Sequence, residues 1–302
     1  MIYDNIKDVP YTQNKVIVIN VGTRIITTLS LLAAIRNSGF RVLLIDCKYM
    51  DIDDWSYFKE LNKKYDFDLI RLPLQEHGKT LDYVFNNLCA DNILLVDSDL
   101  ELRNSSIVPY MSSVLENPLY FGCGFRHGGW NLKGSIDYGE KCDGYYEERM
   151  WIPFLLLKVL YVREALAKGC SFRSRLYFNL FPKHQGLSRK LIRATNGKCR
   201  FSCLNFLKHS FRGAKPLVVL YDTGSELYNY LRYESNLFLA GMDAETGVEE
   251  KYLKHYNGVT RKAIFNDNIK TCKISDEYEN IRLRLLNEYG FDIEEMQRSI
   301  NF

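Results

Sequence analysis

At 302 residues with 46% apolar side chains, the chain is long enough for one large α/β domain and too apolar for a disordered one. Its formal charge of +3 hides a strong asymmetry: residues 165–221 hold twelve Lys and Arg and no Asp or Glu, leaving a balance of −9 for the rest. A segment so one-sided attracts an anionic partner, whether phosphate groups, an acidic membrane surface or nucleic acid.

In chain order, the first residues, with Asp4, Lys7 and Asp8, lack the charged-then-apolar pattern of a secretory leader, so the expectation is a cytoplasmic chain. Residues 15–21 (KVIVINV) are a β-branched run suited to a strand buried on both faces, and Gly22 ends it. Residues 27–37 (TTLSLLAAIRN) have helical spacing closed by Gly39, and residues 41–46 (RVLLID) read as a second buried strand. Strand, helix and strand within about 30 residues make a βαβ unit with parallel strands and a right-handed crossover. The pattern then repeats: a helix over 55–65, a strand over 67–72, a helix over 80–89 and a strand over 92–96 (NILLV). The fold class is therefore α/β, an open and mainly parallel twisted sheet with helices on both faces, whose ligands bind beyond the carboxyl ends of the strands. No internal repeat or low-complexity linker interrupts the chain, so 1–302 is read as one domain. Residues 151–167, the longest apolar stretch, contain Lys158, Arg163 and Glu164 and fall short of the roughly 20 apolar residues of a membrane span. They are read as a buried element. Of the eight cysteines only Cys199 and Cys203 lie close together, with no second pair at zinc-site spacing, so reduced thiols are expected.

Three Asp-x-Asp pairs occur, Asp51/Asp53, Asp66/Asp68 and Asp97/Asp99. Only the last follows a buried strand directly, at the edge where the ligand crevice belongs; the other two sit among charged residues and are expected to be solvated. Carboxylates one residue apart converge on a hard cation, Mg2+ or Mn2+, with open positions left for diphosphate oxygens. A turn in which Asp97 caps backbone amides is the alternative.

The run NILLVDSDLEL (residues 92–102), with the preceding Glu76, His77, Gly78, Lys79, Thr80 and Leu81, resembles the metal-binding strand end of GT-A glycosyltransferases, particularly those similar to family 2. That resemblance implies a GT-A, Rossmann-like fold and a Mn2+ or Mg2+ cofactor. It implies a nucleotide-sugar donor, UDP- or GDP-linked, and a glycan or lipid-linked acceptor. Asp97 and Asp99 would hold the metal, with Ser98 between them at the donor. His255, in Lys254-His255-Tyr256-Asn257-Gly258, matches the family's late histidine, a metal or diphosphate ligand. Gly22, Thr23 and Arg24 after the first strand, and Asp46 after the second, lie where such enzymes hold the base and ribose. Asp222 takes the place of the general base of an inverting transfer, although the family's Glu-Asp pair is Tyr221-Asp222 here; an N-cap is its other reading, and Asp243 and Glu245 are substitutes. Residues 1–102 would form the donor half and 103–302 the acceptor half.

Residues 121–151 are rich in Gly, Tyr and Trp, and read either as a mobile loop lining the sugar and acceptor sites or as a packed loop with core tyrosines. The basic segment 165–221, interleaved with Phe172, Tyr177, Phe178, Phe181, Phe201, Phe206 and Phe211, suits peripheral contact with an anionic membrane or a lipid-linked diphosphate, or is a solvated basic face. No nucleic-acid motif accompanies it, and nucleic acid is not an expected partner. Two further readings stay open: a nucleotidyltransferase, although VGTRII after the first strand is poor in glycine for a phosphate loop, and a non-catalytic basic adaptor for membrane or RNA on a transferase fold.

Overall fold

The computed structural model describes residues 1–20, 23–48, 55–73, 76–127, 130–137, 141–146, 148–179, 217–242, 251–256 and 272–300. The main sheet contains β1 (Ile2–Tyr3), β2 (Thr12–Asn20), β3 (Arg41–Lys48), β4 (Asp68–Pro73), β5 (Ala90–Asp97), β7 (Tyr120–His127), β10 (Arg149–Lys158) and β13 (Phe238–Gly241). Their order across the sheet is β1-β4-β3-β2-β5-β10-β7-β13. Five of the seven pairings are parallel, and only β10 runs against its neighbours β5 and β7.

The uninterrupted apolar runs are explained by cover on both faces. Val16, Val18, Val42, Leu44, Leu94 and Val96 join one core with the helices α1 (Arg24–Asn37), α2 (Trp55–Lys64), α4 (Ile107–Val114), α7 (Cys272–Tyr289) and α8 (Ile293–Ile300). Their immediate neighbours Ile17, Ile19, Leu43, Ile45, Ile93 and Leu95 join a second core with α3 (His77–Asn87), α5 (Val159–Ala167) and α6 (Ser225–Tyr233). The period of two is present in direction, as strand geometry demands, although polarity does not alternate. The expected doubly wound α/β sheet is the one observed.

Beside it lie two smaller sheets. One has the order β11-β12-β9-β8, from β8 (Trp130–Asp137), β9 (Lys141–Tyr146), β11 (Arg175–Asn179) and β12 (Leu217–Tyr221). The other is a two-stranded antiparallel ribbon of β6 (Leu100–Leu102) and β14 (Leu253–His255).

Three expectations need correction. The described residues within 121–151 belong almost wholly to the strands β7, β8, β9 and β10 rather than to a loop. Aromatic and β-branched residues suit a pleated surface, and Gly122 serves close approach: a Cβ there would lie 2.7 Å from Leu157 Cδ2 and 2.9 Å from the Leu156 carbonyl of β10. The apolar stretch 151–167 is not one element but the end of β10 followed by α5; no helix among the described residues is long and apolar enough to cross a membrane. Finally, Asp68 is not solvated. It is buried, and accepts from the equally buried Lys15 Nζ (3.2 Å) and from Arg41 (2.9 Å), which also pairs with the exposed Asp66. Burial lowers the Lys15 pKa against the opposing pull of Asp68. Asp51 and Asp53 lie outside the described residues.

Candidate functional site

Asp97 closes β5, and the chain turns through Ser98 and Asp99 straight into β6. Helix α1 fixes this turn from the sheet's first core. Ser30 Oγ donates to the Ser98 carbonyl (2.8 Å) and Asn37 Nδ2 to the Leu102 carbonyl (2.6 Å), bracketing Asp99 between two helix contacts seven residues apart. Pairing of β6 with β14 then places His255 opposite Leu100, and the Tyr256 amide donates to the Asp99 carbonyl at 2.8 Å.

The result is a cluster. One ligand atom each from Asp97, Asp99 and His255 lie within 4.8 Å of one another, and His255 Nε2 is 3.2 Å from Asp99 Oδ1. Trp151 of β10 packs edge-on to the His255 ring, with centroids 5.4 Å apart and planes at 90°, and Phe125 backs Trp151 in the same manner. Asp99 is buried and Asp97 half-buried.

Beneath the cluster sits Glu101, fully buried. Its Oε1 accepts from Arg284 Nε and from Tyr289 OH (3.0 Å), and its Oε2 from Arg103 Nε (3.2 Å) and Tyr256 OH (3.0 Å). Burial, and then the Glu101 charge, push the Tyr256 and Tyr289 phenols well above their ordinary pKa, so both remain donors.

At the neighbouring strand ends, Asn20 lies opposite Asp46 and Ile19 opposite Asp97, so the backbones of the two aspartates stand at nearly the same level with one strand between them. Asn20 is buried; its Nδ2 donates to Asp46 Oδ1 (2.8 Å), and its Oδ1 accepts from the Thr23 amide (3.1 Å) and Thr27 Oγ1 (2.9 Å). Arg71 reaches Asp46 at 3.8 Å and stacks over Trp55. Thr23 is buried, and Arg24 lies over the Tyr57 ring; Gly22 is outside the described residues.

Asp222 stands apart from the cluster. Its Oδ1 accepts from the Thr223 amide (2.7 Å) and Ser174 Oγ (3.1 Å), and Arg149 grips its other oxygen. The N-cap of α6 is Gly224, at φ 82°, not Asp222. Strand β10 connects the two places, since Arg149 and Trp151 are alternate residues about 7 Å apart along it. Asp243, Glu245 and Gly258 fall outside the described residues, as do residues 180–216 of the basic segment. Of the segment's described cations, Arg173 pairs with Glu76 and Arg175 with Glu226. Cys47, Cys89 and Cys123 are in no disulfide.

Sequence reasoning selected Asp97, Asp99 and His255, which the structure brings together. It passed over Ser30, Asn37, Asn20, Glu101, Arg149 and Trp151. Ser30 had a signal, as a hydroxyl inside the apolar TTLSLLAA run, and so had Glu101, an acid between two leucines.

No known protein-family model matches the sequence, and no curated protein matches it. Among solved structures the chain is similar to mannosyltransferase PcManGT from Pyrobaculum calidifontis in complex with GDP-Man and Mn2+ (11% identity, 52% of this chain and 47% of that one, TM-score 0.38). It is also similar to S. aureus TarS 1-349 in complex with UDP-GlcNAc (13% identity, 72% and 61%, TM-score 0.37). A third match is a cytidylyltransferase from Leptospira borgpetersenii serovar Hardjo-bovis (12% identity, 62% and 72%, TM-score 0.34). The match thus spans less than two thirds of the length of the first two. GT-A-type glycosyltransferases are among the matches, but the likeness is remote and nucleotidyl transfer occurs there too. The class of reaction has to come from the site.

Proposed function

We propose that the chain is a metal-dependent glycosyltransferase that moves a sugar from a UDP- or GDP-linked donor to a hydroxyl of a glycan or lipid-linked acceptor, with inversion. The observation that carries this reading is the Asp97, Asp99 and His255 cluster at the carboxyl edge of the parallel strands. The donor set fits a divalent ion. Two ligands at right angles on an ion with bonds of about 2.1 Å stand about 3 Å apart, close to the 3.2 Å between His255 and Asp99. Two carboxylates suit Mg2+ or Mn2+, and the imidazole favours Mn2+ of the two. Bound there, the ion would neutralise the leaving diphosphate.

The chain's own residues would do the rest. Asp46 and Asp97 end the strands on either side of β2, with their backbones about 9–10 Å apart, and would serve the nucleoside end and the diphosphate of one donor. Asn20 orients Asp46 toward that task. Trp151 holds the His255 ring and closes one wall. Asp222, held by Arg149 at the start of β10, would take the proton from the acceptor hydroxyl as its oxygen bonds to the anomeric carbon and the carbon–diphosphate bond breaks. The acceptor belongs to the half beyond residue 102, with the acid-free segment 165–221 offering charge for a lipid-linked diphosphate or an anionic membrane.

The test is a screen of nucleotide sugars for slow hydrolysis with Mn2+ or Mg2+, run beside Asp99→Asn. Expected is hydrolysis of one donor class that stops with chelator and falls at least about a hundredfold in the variant, because an amide keeps an oxygen but not the charge. Chelator-insensitive hydrolysis overturns the metal assignment. Release of pyrophosphate from a nucleoside triphosphate and a sugar phosphate, with no donor hydrolysis, makes the chain a nucleotidyltransferase instead.

A further inference from the structure

We propose that Glu101 is a positioning residue for the Asp97, Asp99 and His255 cluster, and that through it cation binding depends on the docking of α7 by Arg284 and Tyr289. The inference rests on the functional reading above, because it concerns the same cluster.

Glu101 lies in the middle of β6, two residues beyond Asp99, and opposite Lys254, the residue before His255. Burying a carboxylate costs several kcal/mol unless charge and hydrogen bonds compensate it. Here each oxygen takes two donors, and the four donors come from three places. Arg103 follows β6 itself, Tyr256 follows His255, and Arg284 and Tyr289 come from α7. The carboxylate is therefore the common anchor of both ribbon strands and the late helix.

The ribbon needs such an anchor. Each strand is three residues long, and a two-stranded ribbon is marginal by itself even when longer. The ribbon brings Asp99 to His255, since Asp99 immediately precedes β6 and His255 ends β14. Helix α1 grips the same stretch from its other side through the Ser98 and Leu102 carbonyls, and its Arg36 lies over the Tyr289 ring and donates to the Glu288 carbonyl. Asp99 and His255 are thus set from behind by residues outside the ligand cluster. Loosening such support by about 1 Å is enough to spoil a site, and loss of partners behind metal ligands typically costs about 10–100-fold in affinity.

Because Glu101→Gln leaves two guanidinium groups without their carboxylate and risks unfolding, the test uses Arg284→Met and Tyr289→Phe, each in the full chain. Mn2+ alone is the probe, titrated calorimetrically and by the resonance signal of the free ion, with folding checked by circular dichroism. Arg284→Met is expected to weaken Mn2+ binding about 10–100-fold and Tyr289→Phe several-fold. Arg282→Gln, on the same helix but paired at the surface with Glu279 and Glu294, is expected to leave the affinity unchanged. In a His255→Gln background Arg284→Met should cost much less than in the wild type, since two residues acting through one contact are not additive. Wild-type affinity in folded Arg284→Met overturns the inference, as does an equal loss in Arg282→Gln or full additivity with His255→Gln. A wild-type chain that binds no Mn2+ overturns the functional reading itself, a different outcome from binding that Arg284 does not influence.

Discussion

Replacing Gly122 by Ala separates a packed strand from a mobile loop by the sign of its effect. In a loop, the methyl group would restrict the unfolded chain and stabilise the fold by about 0.4–1 kcal/mol. In β7 the added Cβ meets Leu157 Cδ2 at 2.7 Å, the Leu156 carbonyl oxygen at 2.9 Å and Leu239 Cδ1 at 3.2 Å. The leucine tips can rotate, but the carbonyl belongs to the backbone of β10, which is bonded on both sides and cannot retreat. Overpacking of this kind costs about 1–3 kcal/mol, and subtracting the entropic gain leaves a net loss of about 0.5–2 kcal/mol. Unfolding entropy near 2.1 cal/mol/K per residue gives about 0.6 kcal/mol/K over 302 residues, so Tm should fall by about 1–3 °C. Gly241, where a Cβ would meet nothing within 4 Å, supplies the control, and Gly241→Ala should leave Tm level or slightly raised. Paired thermal scans of the three proteins decide it. A Gly122→Ala protein at least as stable as the parent would refute the packing of β7 on β10, and with it the strand that carries Arg149 to Asp222 and Trp151 to His255.

Asp222→Asn should lower kcat by about 10²–10⁴ while the donor KM stays nearly constant, as for loss of proton transfer alone. A collapse of donor affinity instead would move Asp222 into the binding site. Burial pushes the Cys47 and Cys123 thiols up to about 12 from 9.0, whereas Cys89 is exposed, so mass-spectrometric labelling at pH 8 should modify Cys89 and spare the other two until the protein unfolds. Between pH 9 and 12 the folded thiols keep protons that the unfolded chain releases, so stability should fall as pH rises, by about 1.4 kcal/mol per pH unit for each thiol. Cys123→Ala should remove one thiol's share of that slope in urea titrations, and an unchanged slope would refute the burial argument.

The parallel half of the fold could be read because local signals agree there. Residues 15–21, 41–46 and 92–96 are apolar throughout, and a run buried on both faces requires helices on both sides, which the intervening periodic stretches supply. The helix ends were less readable: α1 starts at Arg24 instead of residue 27, since Thr23 takes the N-cap position without using its side chain as a cap. Residues 121–151 misled for a physical reason. Gly, Tyr and Trp together satisfy both a flexible loop and a closely packed strand, and only the neighbour's backbone distinguishes them.

The site divides along the same line. Asp97 and Asp99 could be chosen over the other two pairs because a strand's carboxyl end is a position in the sequence as well as in space. Reading solvent from a charged neighbourhood held for the exposed Asp66 but erred on Asp68; Lys15 is 53 residues away from Asp68 and supplies the buried partner. His255 carried only its order in the chain, since three-residue strands have no periodicity to read. Glu101 is the hardest case. An acid between Leu100 and Leu102 in a run that must be buried states a demand for donors, and simple electrostatics says that cations must answer it. Which cations cannot be deduced locally, because Arg284 and Tyr289 lie 183 and 188 residues later, on a helix whose apolar residues announce burial but not against what. A buried charge in a sequence is therefore legible as a question, and the fold answers it with the same contacts that hold Asp99 against His255.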